Sequence, residues 1–415
     1  LNAASGNLNV TANNIANSST IGFKMSRAEF ADVYAVSFGG VSQTATGSGV
    51  RLSNVAQQFT QGNIDFTDNN LDLAISGEGF FCVNDGGTQL YTRAGNFSVD
   101  RAGYVVNAHG QRLQMYSVDP NTGSVTNFTG RDLQLNLGAN PASATTQIDI
   151  NLNLDASSAS IDDATYPWDI TDPSWGPDSY NFSTSTTIYD SLGVQHTATL
   201  YYRKDNGAPA LAANEWRSKL VITDADGTNF QADDQIVAFN ADGSLATVGN
   251  VDYLATSGPW TPSTGANNFA ALNINYTGST QFGANSAVSN LVQDGYTTGR
   301  LSGVSVDPSG VVYARYTNGQ SEMLGAVAMV RFPNPNGLEQ VGDTNWAATY
   351  ESGAALSGQA GTGTFGQIQS GALEASNVDI SKQLVNMIIA QRDFQANAKM
   401  ITTEDNVTQS IINIR

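Results

Sequence analysis

The sequence predicts a mainly β body of two β-rich domains, the outer inserted into the inner, with N- and C-terminal α-helices forming a coiled coil. Three observations carry that class. Helical periodicity is confined to the two ends, residues 1–20 and 373–415. Between them, apolar and polar side chains alternate with a period of two. One turn chemistry, Asp-x-x-Gly, recurs through the same stretch.

The C-terminal helix is read first. On a wheel turning once per 3.6 residues, Ile380, Leu384, Met387, Phe394, Ala398, Ile401 and Ile412 share one side. Val385, Ile389, Ala396, Met400, Val407, Ile411 and Ile414 share the opposite side. One apolar stripe docks a helix on a core; two opposed stripes call for two partners. At the other end Leu1, Ala4, Leu8, Ala12 and Ile15 recur near heptad spacing. The N-terminal helix is therefore expected to cover one stripe, and another molecule the second. A helix sandwiched inside one domain is the plainer reading, but no other strong helical segment is available to complete it. The candidate assembly residues are Leu1, Leu8, Ile15, Leu384, Met387, Ile389, Phe394, Met400, Ile401, Ile411 and Ile412. Isolated helices are marginal in water, so residues 1–36 and 367–415 are expected to be largely disordered in a free monomer.

Residues 37–50 and 352–366 are rich in Gly, Ser and Thr and flank the same boundary. They read as a flexible neck. The expected organisation is a helical core of 1–36 and 367–415, a neck of 37–70 and 352–366, an inner β-domain of 71–145 and 294–351, and an outer insert of 146–293.

In the body, Ile148, Ile150, Leu152 and Leu154 alternate with polar residues, as do Leu133, Leu135 and Leu137, and Ala198, Leu200 and Tyr202. Such patterns predict half-buried antiparallel strands. The turns Asp100–Gly103, Asp190–Gly193 and Asp307–Gly310 place an Asp to bond the turn backbone and a Gly to close it. The stretches Val99–Gln111 and Val306–Gln320 read alike and predict one inner domain built from two distant parts of the chain. Trp168, Trp175, Trp216 and Trp260 all fall in the stretch between, which can thus bury a core of its own.

Composition narrows the function. The chain has 415 residues, enough for two or three domains. Lys and Arg number 18 against 37 Asp and Glu, a net charge of −19, which excludes the basic stripe of a nucleic-acid surface. An acidic exterior also repels anionic membranes. Cys82 is the single cysteine and reads as a small buried hydrophobe. No apolar run is long enough to span a membrane. No charged segment precedes an apolar one in the manner of a secretory signal peptide. The chain opens on Leu1 without a Met, so a short preceding piece is expected.

Chemical sites are sparse. His109 and His196 lie apart, without the clustering that a His or Cys metal site requires. Asp224, Asp226, Gly227, Asp233 and Asp234 hint at a calcium loop but lack its spacing and terminal Glu. No Gly-x-Ser-x-Gly elbow and no phosphate loop with its Lys occur. No catalytic, cofactor-binding or metal-binding residue is expected, and the chain is not read as an enzyme.

The run Asn13-Asn14-Ile15-Ala16-Asn17, followed by Thr20-Ile21-Gly22-Phe23-Lys24, resembles the N-terminal signature of the bacterial flagellar rod and hook axial proteins. Arg27-Ala28-Glu29-Phe30-Ala31-Asp32 continues it in the hook-type form. Leu71 to Ile75 with Gly77, Gly79, Phe80 and Phe81 resembles the start of the family's first β-domain. Gly371 to Asp379, Leu384 to Ile388 and Ala390-Gln391-Arg392 resemble its C-terminal signature. The resemblance implies a hook-type structural subunit that polymerises into a helical, bendable tube carrying motor torque to the filament. It implies as partners further copies of the chain, the rod and hook–filament junction proteins and the hook cap, with no nucleic acid and no membrane insertion. It implies an extracellular place at the flagellar hook, reached through the flagellar type III apparatus without a cleaved signal peptide. A distal rod-type protein shares the end motifs, though rod subunits of this family are shorter and the inserted domain argues against it. A secreted carbohydrate-binding β-protein is the alternative of a different class, resting on the Trp and Tyr of the insert; core packing competes for those side chains.

Overall fold

The computed structural model describes residues 1–33, 49–204, 211–246, 249–255 and 257–413. Most of the expected neck segment 37–50, and Ile414 of the second stripe, lie outside the described residues. Two helices frame the chain, α1 (Asn2–Ala16) and α2 (Ile380–Asn413), and the rest is strands and turns with two short 3-10 turns among the described residues. The mainly β class with a helix at each end is the one read from the sequence.

The chain divides into two compact units. The first comprises Leu1–Leu137, Ser302–Arg315 and Ser321–Arg415; the second comprises Gly138–Leu301 with Tyr316–Gln320. The second unit reaches beyond the expected 146–293 at both ends. The bridges Asn140↔Gly299 and Ser143↔Tyr296 extend its pairing outward, where no alternation marks a strand.

The second unit is built around the strand Gln147–Asp155. That strand runs parallel to Asn273–Asn275 and Thr280–Phe282 and antiparallel to Ala287–Gln293. A second sheet is an antiparallel meander of Phe182–Tyr189, Gln195–Arg203 and Glu215–Thr223. Ile148, Ile150, Leu152 and Leu154 from the first sheet share one core with Ala198, Leu200, Tyr202 and Trp216 from the second. The period-two reading placed these side chains inward because each strand has one wet face.

Hydroxyl groups run through this core. Tyr276 and Tyr253 share a hydrogen bond of 2.7 Å between their hydroxyls, Tyr202 donates to Tyr276 at 3.2 Å, and Ser218 joins Tyr253 to the backbone carbonyl of Gln235. Burial pushes all three phenols well above their ordinary range, so they stay neutral donors. Tyr253→Phe leaves Ser218 and Tyr276 each short of a partner. It is expected to lower the stability of this unit by about 1–3 kcal/mol. The check is a lower thermal midpoint for the second unit with an unchanged fold by circular dichroism.

In the first unit, among the described residues, the largest sheet has 13 strands. Its aromatic core includes Phe80, Tyr91, Tyr116, Phe332 and Trp346, with Phe59 packed against it. Phe59, Phe80 and Trp346 meet edge to face at 5.6–5.7 Å between centroids, the arrangement that ring quadrupoles favour. Cys82 is buried here, and desolvation pushes its thiol up to about 12.

All three Asp-x-x-Gly turns form as expected. Asp100, Asp190 and Asp307 each accept a backbone N–H four residues on, at 2.8–2.9 Å. Gly103, Gly193 and Gly310 close them at φ of 87°, 82° and 81°, where a side chain would be strained. Leu133 and Leu135 are buried, whereas Leu137, the third of that alternation, is exposed at the end of the first unit.

Several terminal segments differ from expectation. Residues 27–32, placed in a helical region, form the strand Ser26–Asp32, paired antiparallel with Val50–Gln57. Helix α2 begins at Ile380, not 373. Before it, Gln367–Ser370 pairs with Leu73–Ser76, and Ala372–Glu374 pairs with Ile64–Phe66. Ile368 and Ala372 are buried, so residues 367–374 pair within the β body. Residues 352–366, expected as a linker, carry the strand Leu356–Gly358 against Met329–Arg331, with Ser352 and Ala360 buried. Strands of three or four residues are too short to show alternation, and their Gly and Ser content reads as loop.

Candidate assembly interface

Helix α1 packs against α2 and against the hairpin of Ser26–Asp32 and Val50–Gln57. Asn14 ties it to that hairpin: its side-chain amide donates to Ser26 O at 2.7 Å and its Oδ1 accepts Ser26 N–H at 2.9 Å. Asn14 and Thr11 are the buried residues of α1. Leu8 and Ile15 are half-buried, while Leu1 is exposed. Ala12, part of the expected seam, is exposed as well.

Helix α2 starts from Asp379, whose carboxylate accepts the Lys382 N–H at 3.1 Å, as an N-cap does. Its covered face runs through Gln383, Met387 and Ala390; Gln383 and Ala390 are buried and Met387 is half-buried. This face keeps Met387 of the expected stripe, takes Gln383 in place of Leu384, which is 46% exposed, and adds Ala390, whose single methyl lets neighbouring groups approach closely. Ile389, Phe394, Met400, Ile401, Ile411 and Ile412 are exposed, Met400 by 69%. Length explains part of this. At 1.5 Å per residue the 34 residues of α2 span about 51 Å and the 15 of α1 about 22 Å. More than half of α2 therefore lies beyond what α1 can cover.

The helices join the β body at a buried polar crossing. Glu374 accepts from Lys24 Nζ at 2.6 Å, from Gly62 N–H at 2.9 Å and from Arg93 NH1 at 3.2 Å. The Lys24 and Glu374 side chains are 0% exposed. Burial pushes the Lys24 ammonium down, and the Glu374 carboxylate opposes that shift. Burial likewise lowers the Arg93 guanidinium, against the pull of Glu374. One step along, Asn377 accepts Met25 N–H at 2.7 Å and donates to Gln58 O at 2.7 Å. Gly22 and Gly62 let the backbones meet: a Cβ on Gly22 would come within 2.5 Å of Ala94 N, and one on Gly62 within 2.0 Å of Ala375 O.

Three of the acidic residues weighed as a calcium loop make contacts within the fold. Asp224 accepts Ser263 N–H at 2.7 Å, Asp226 accepts from Thr228, and Asp234 lies 3.2 Å from Lys219 Nζ. His196 is buried between Asp190 and Asp224; His109 is on the surface, 3.5 Å from Asp343. Trp216 and Trp260 are core residues, and Trp175 packs on Tyr201. No helix among the described residues is long and apolar enough to cross a membrane.

Known proteins align with this sequence from end to end. The flagellar hook protein FlgE of Salmonella typhimurium is 37% identical over 436 residues, covering 100% of this chain and 98% of that protein. The chain belongs to the flagellar hook protein FlgE family. The FlgE of Escherichia coli is also 37% identical, with 100% and 98% coverage, and that of Borreliella burgdorferi is 32% identical, with 98% and 96%. Segment by segment, residues 1–24 match the flagella basal body rod protein family and 74–164 the flagellar hook protein FlgE/F/G D1 domain. Residues 153–296 match the flagellar basal body protein FlaE D2 domain, and 369–414 the C-terminal region of the flagellar basal body rod FlgEFG proteins. The crystal structure of Helicobacter pylori flagellar hook protein FlgE2 has the same fold at a TM-score of 0.53 and 16% identity, over 75% of this chain and all of that one. FlgE proteins are structural subunits of the flagellar hook and not enzymes, and this chain is one of them.

The sequence motifs of both ends meet at the polar crossing. Lys24 closes the N-terminal motif, and Glu374 and Asn377 lie within the C-terminal one. Sequence reasoning quoted these residues and missed their contact, because 350 positions separate Lys24 from Glu374. Helix period alone also missed Gln383, Asn14 and Thr11, which are polar residues on covered faces.

The free subunit should show both behaviours in one experiment. Residues 367–379 are pinned by strand pairing and by Asn377, while 399–412 are exposed. Hydrogen exchange on a verified monomer is expected to be slow across 367–379 and fast across 399–412. Equal protection of the two stretches would contradict this division.

Proposed function

We propose that this chain polymerises into the bendable hook tube through the apolar positions of α2 that its own fold leaves exposed. The single observation behind this is the exposure of Ile389, Met400, Ile401, Ile411 and Ile412 on a helix that α1 is too short to cover. Removing such area from water contributes about 25 cal/mol per Å², and only neighbouring copies repeat along a tube to supply it. Leu1, Leu8, Ile15, Leu384, Met387 and Phe394 complete the surface from both helices. The inserted unit contributes smaller, more polar contacts that re-pair as the tube bends and torque passes. Rod and junction proteins and the hook cap are the expected contacts at the tube's ends. Export through the flagellar type III apparatus, without a cleaved signal peptide, brings the subunit to that place.

Electron microscopy of the concentrated protein tests this. Tubes are the expected result. A protein that stays monomeric at every concentration, under conditions where the α2 face is intact, would overturn it.

A further inference from the structure

We propose that Glu374, with Lys24 and Arg93, is a positioning site that fixes the direction in which both terminal arms leave the β body. This rests on the reading of those arms as the assembly surface. Four separate segments converge on the crossing. The N-terminal segment brings Lys24 and Met25, the strap before the strand Ile64–Phe66 brings Gln58, Thr60 and Gly62, the body brings Arg93, and the C-terminal segment brings Glu374 and Asn377. Lys24 Nζ also donates to Thr60 O at 2.8 Å, and Arg93 NH2 to Gly77 O at 2.8 Å. Glu374 O accepts Gly22 N–H at 2.8 Å, so its main chain and its side chain both hold the N-terminal segment, at Gly22 and at Lys24.

The chemistry is unsuited to a purely stabilising role. Two cations and a carboxylate withdrawn from water are costly, and a well-packed apolar group of similar volume is often equal or better for stability. Hydrophobic contact has no preferred direction. Charge-assisted hydrogen bonds do. An apolar plug at this crossing would hold the arms to the body through contacts that set no angle, leaving the angle to the strand pairing and to Asn377 alone. The three-way carboxylate contact fixes the angle. A subunit whose arms must meet identical arms on its neighbours needs that angle set before it meets them.

The test measures the angle directly in the free chain. Cysteines placed at Thr88 in the body and Gln395 on α2, both exposed, carry spin labels. The native Cys82 stays unlabelled because it is buried and its thiol is pushed up to about 12. The parent is expected to give one narrow distance distribution. The triple variant Lys24→Met, Arg93→Met, Glu374→Gln removes all three charges, so no buried guanidinium is left without its carboxylate. It is expected to retain the thermal transition of the β body while the distribution broadens at least about twofold. A distribution as narrow as the parent's overturns the proposal. So does failure of the triple variant to fold, since the three groups would then be holding the body itself. Failure of the polymer reading shows separately, as absence of tubes from the parent chain.

Discussion

Replacing Ile389 by Asp is expected to stop tube growth while leaving the monomer folded. Ile389 is 42% exposed on the side of α2 away from Gln383 and Ala390. It is not among the buried core residues of the described chain. In the tube proposed above the same position is covered by a neighbour, and an aspartate there would be a charge without a counter-charge. Such a group costs roughly 3–5 kcal/mol. Each added subunit meets that cost again, at about a hundredfold or more in the association constant. Sedimentation under assembly conditions should find monomer only, while circular dichroism and melting match the parent. Normal tubes would show that this face stays wet. An unfolded monomer would show that it packs within its own subunit.

Trp216→Ala is expected to unfold the second unit and spare the first. Trp216 is 0% exposed and belongs to the core shared by both sheets of that unit. Truncating a buried Trp costs about 3–5 kcal/mol, a large share of the roughly 5–15 kcal/mol that holds a domain together. The core is contiguous within residues 138–301, so the loss should stay local. Calorimetry should show one transition moved sharply down and another unmoved. A common shift would mean that the two units melt as one. Among the described residues the indole N–H of Trp216 has no hydrogen-bond partner, so Trp216→Phe should lose much less than Trp216→Ala.

The strongly periodic parts of this chain were legible in its sequence. Ile148 to Leu154 alternate because one face of their strand is core, and they lie inward. Asp100, Asp190 and Asp307 announce turns because the carboxylate and the closing Gly act within a few residues. The helices were legible for the same local reason. What stayed hidden depends on distant partners. The segment Gln367–Ser370 is a strand because Leu73–Ser76 lies beside it, and its own four residues carry no such pattern. Ala390 marks the covered face of α2 through its small size, which a hydrophobicity wheel undervalues. The Lys24–Glu374 pair has no local signal, since a lone Lys and a lone Glu ordinarily sit on the surface.

The distance in sequence between Lys24 and Glu374 also sets an order of events during folding. The first unit draws on the beginning, middle and end of the chain, whereas the second is nearly one continuous run. Ordering a long intervening coil has an entropic cost that grows with its length, by about 0.6 kcal/mol per doubling. Thr145 and Gln293, 148 positions apart, meet through a 3.0 Å hydrogen bond at the base of the second unit. Once that unit has closed, the coil still to be ordered is shorter by its length. The second unit should therefore mature first and act as a clamp on its own flanks. The first unit follows, late and slow, and only when the last residues of the chain are free to join it.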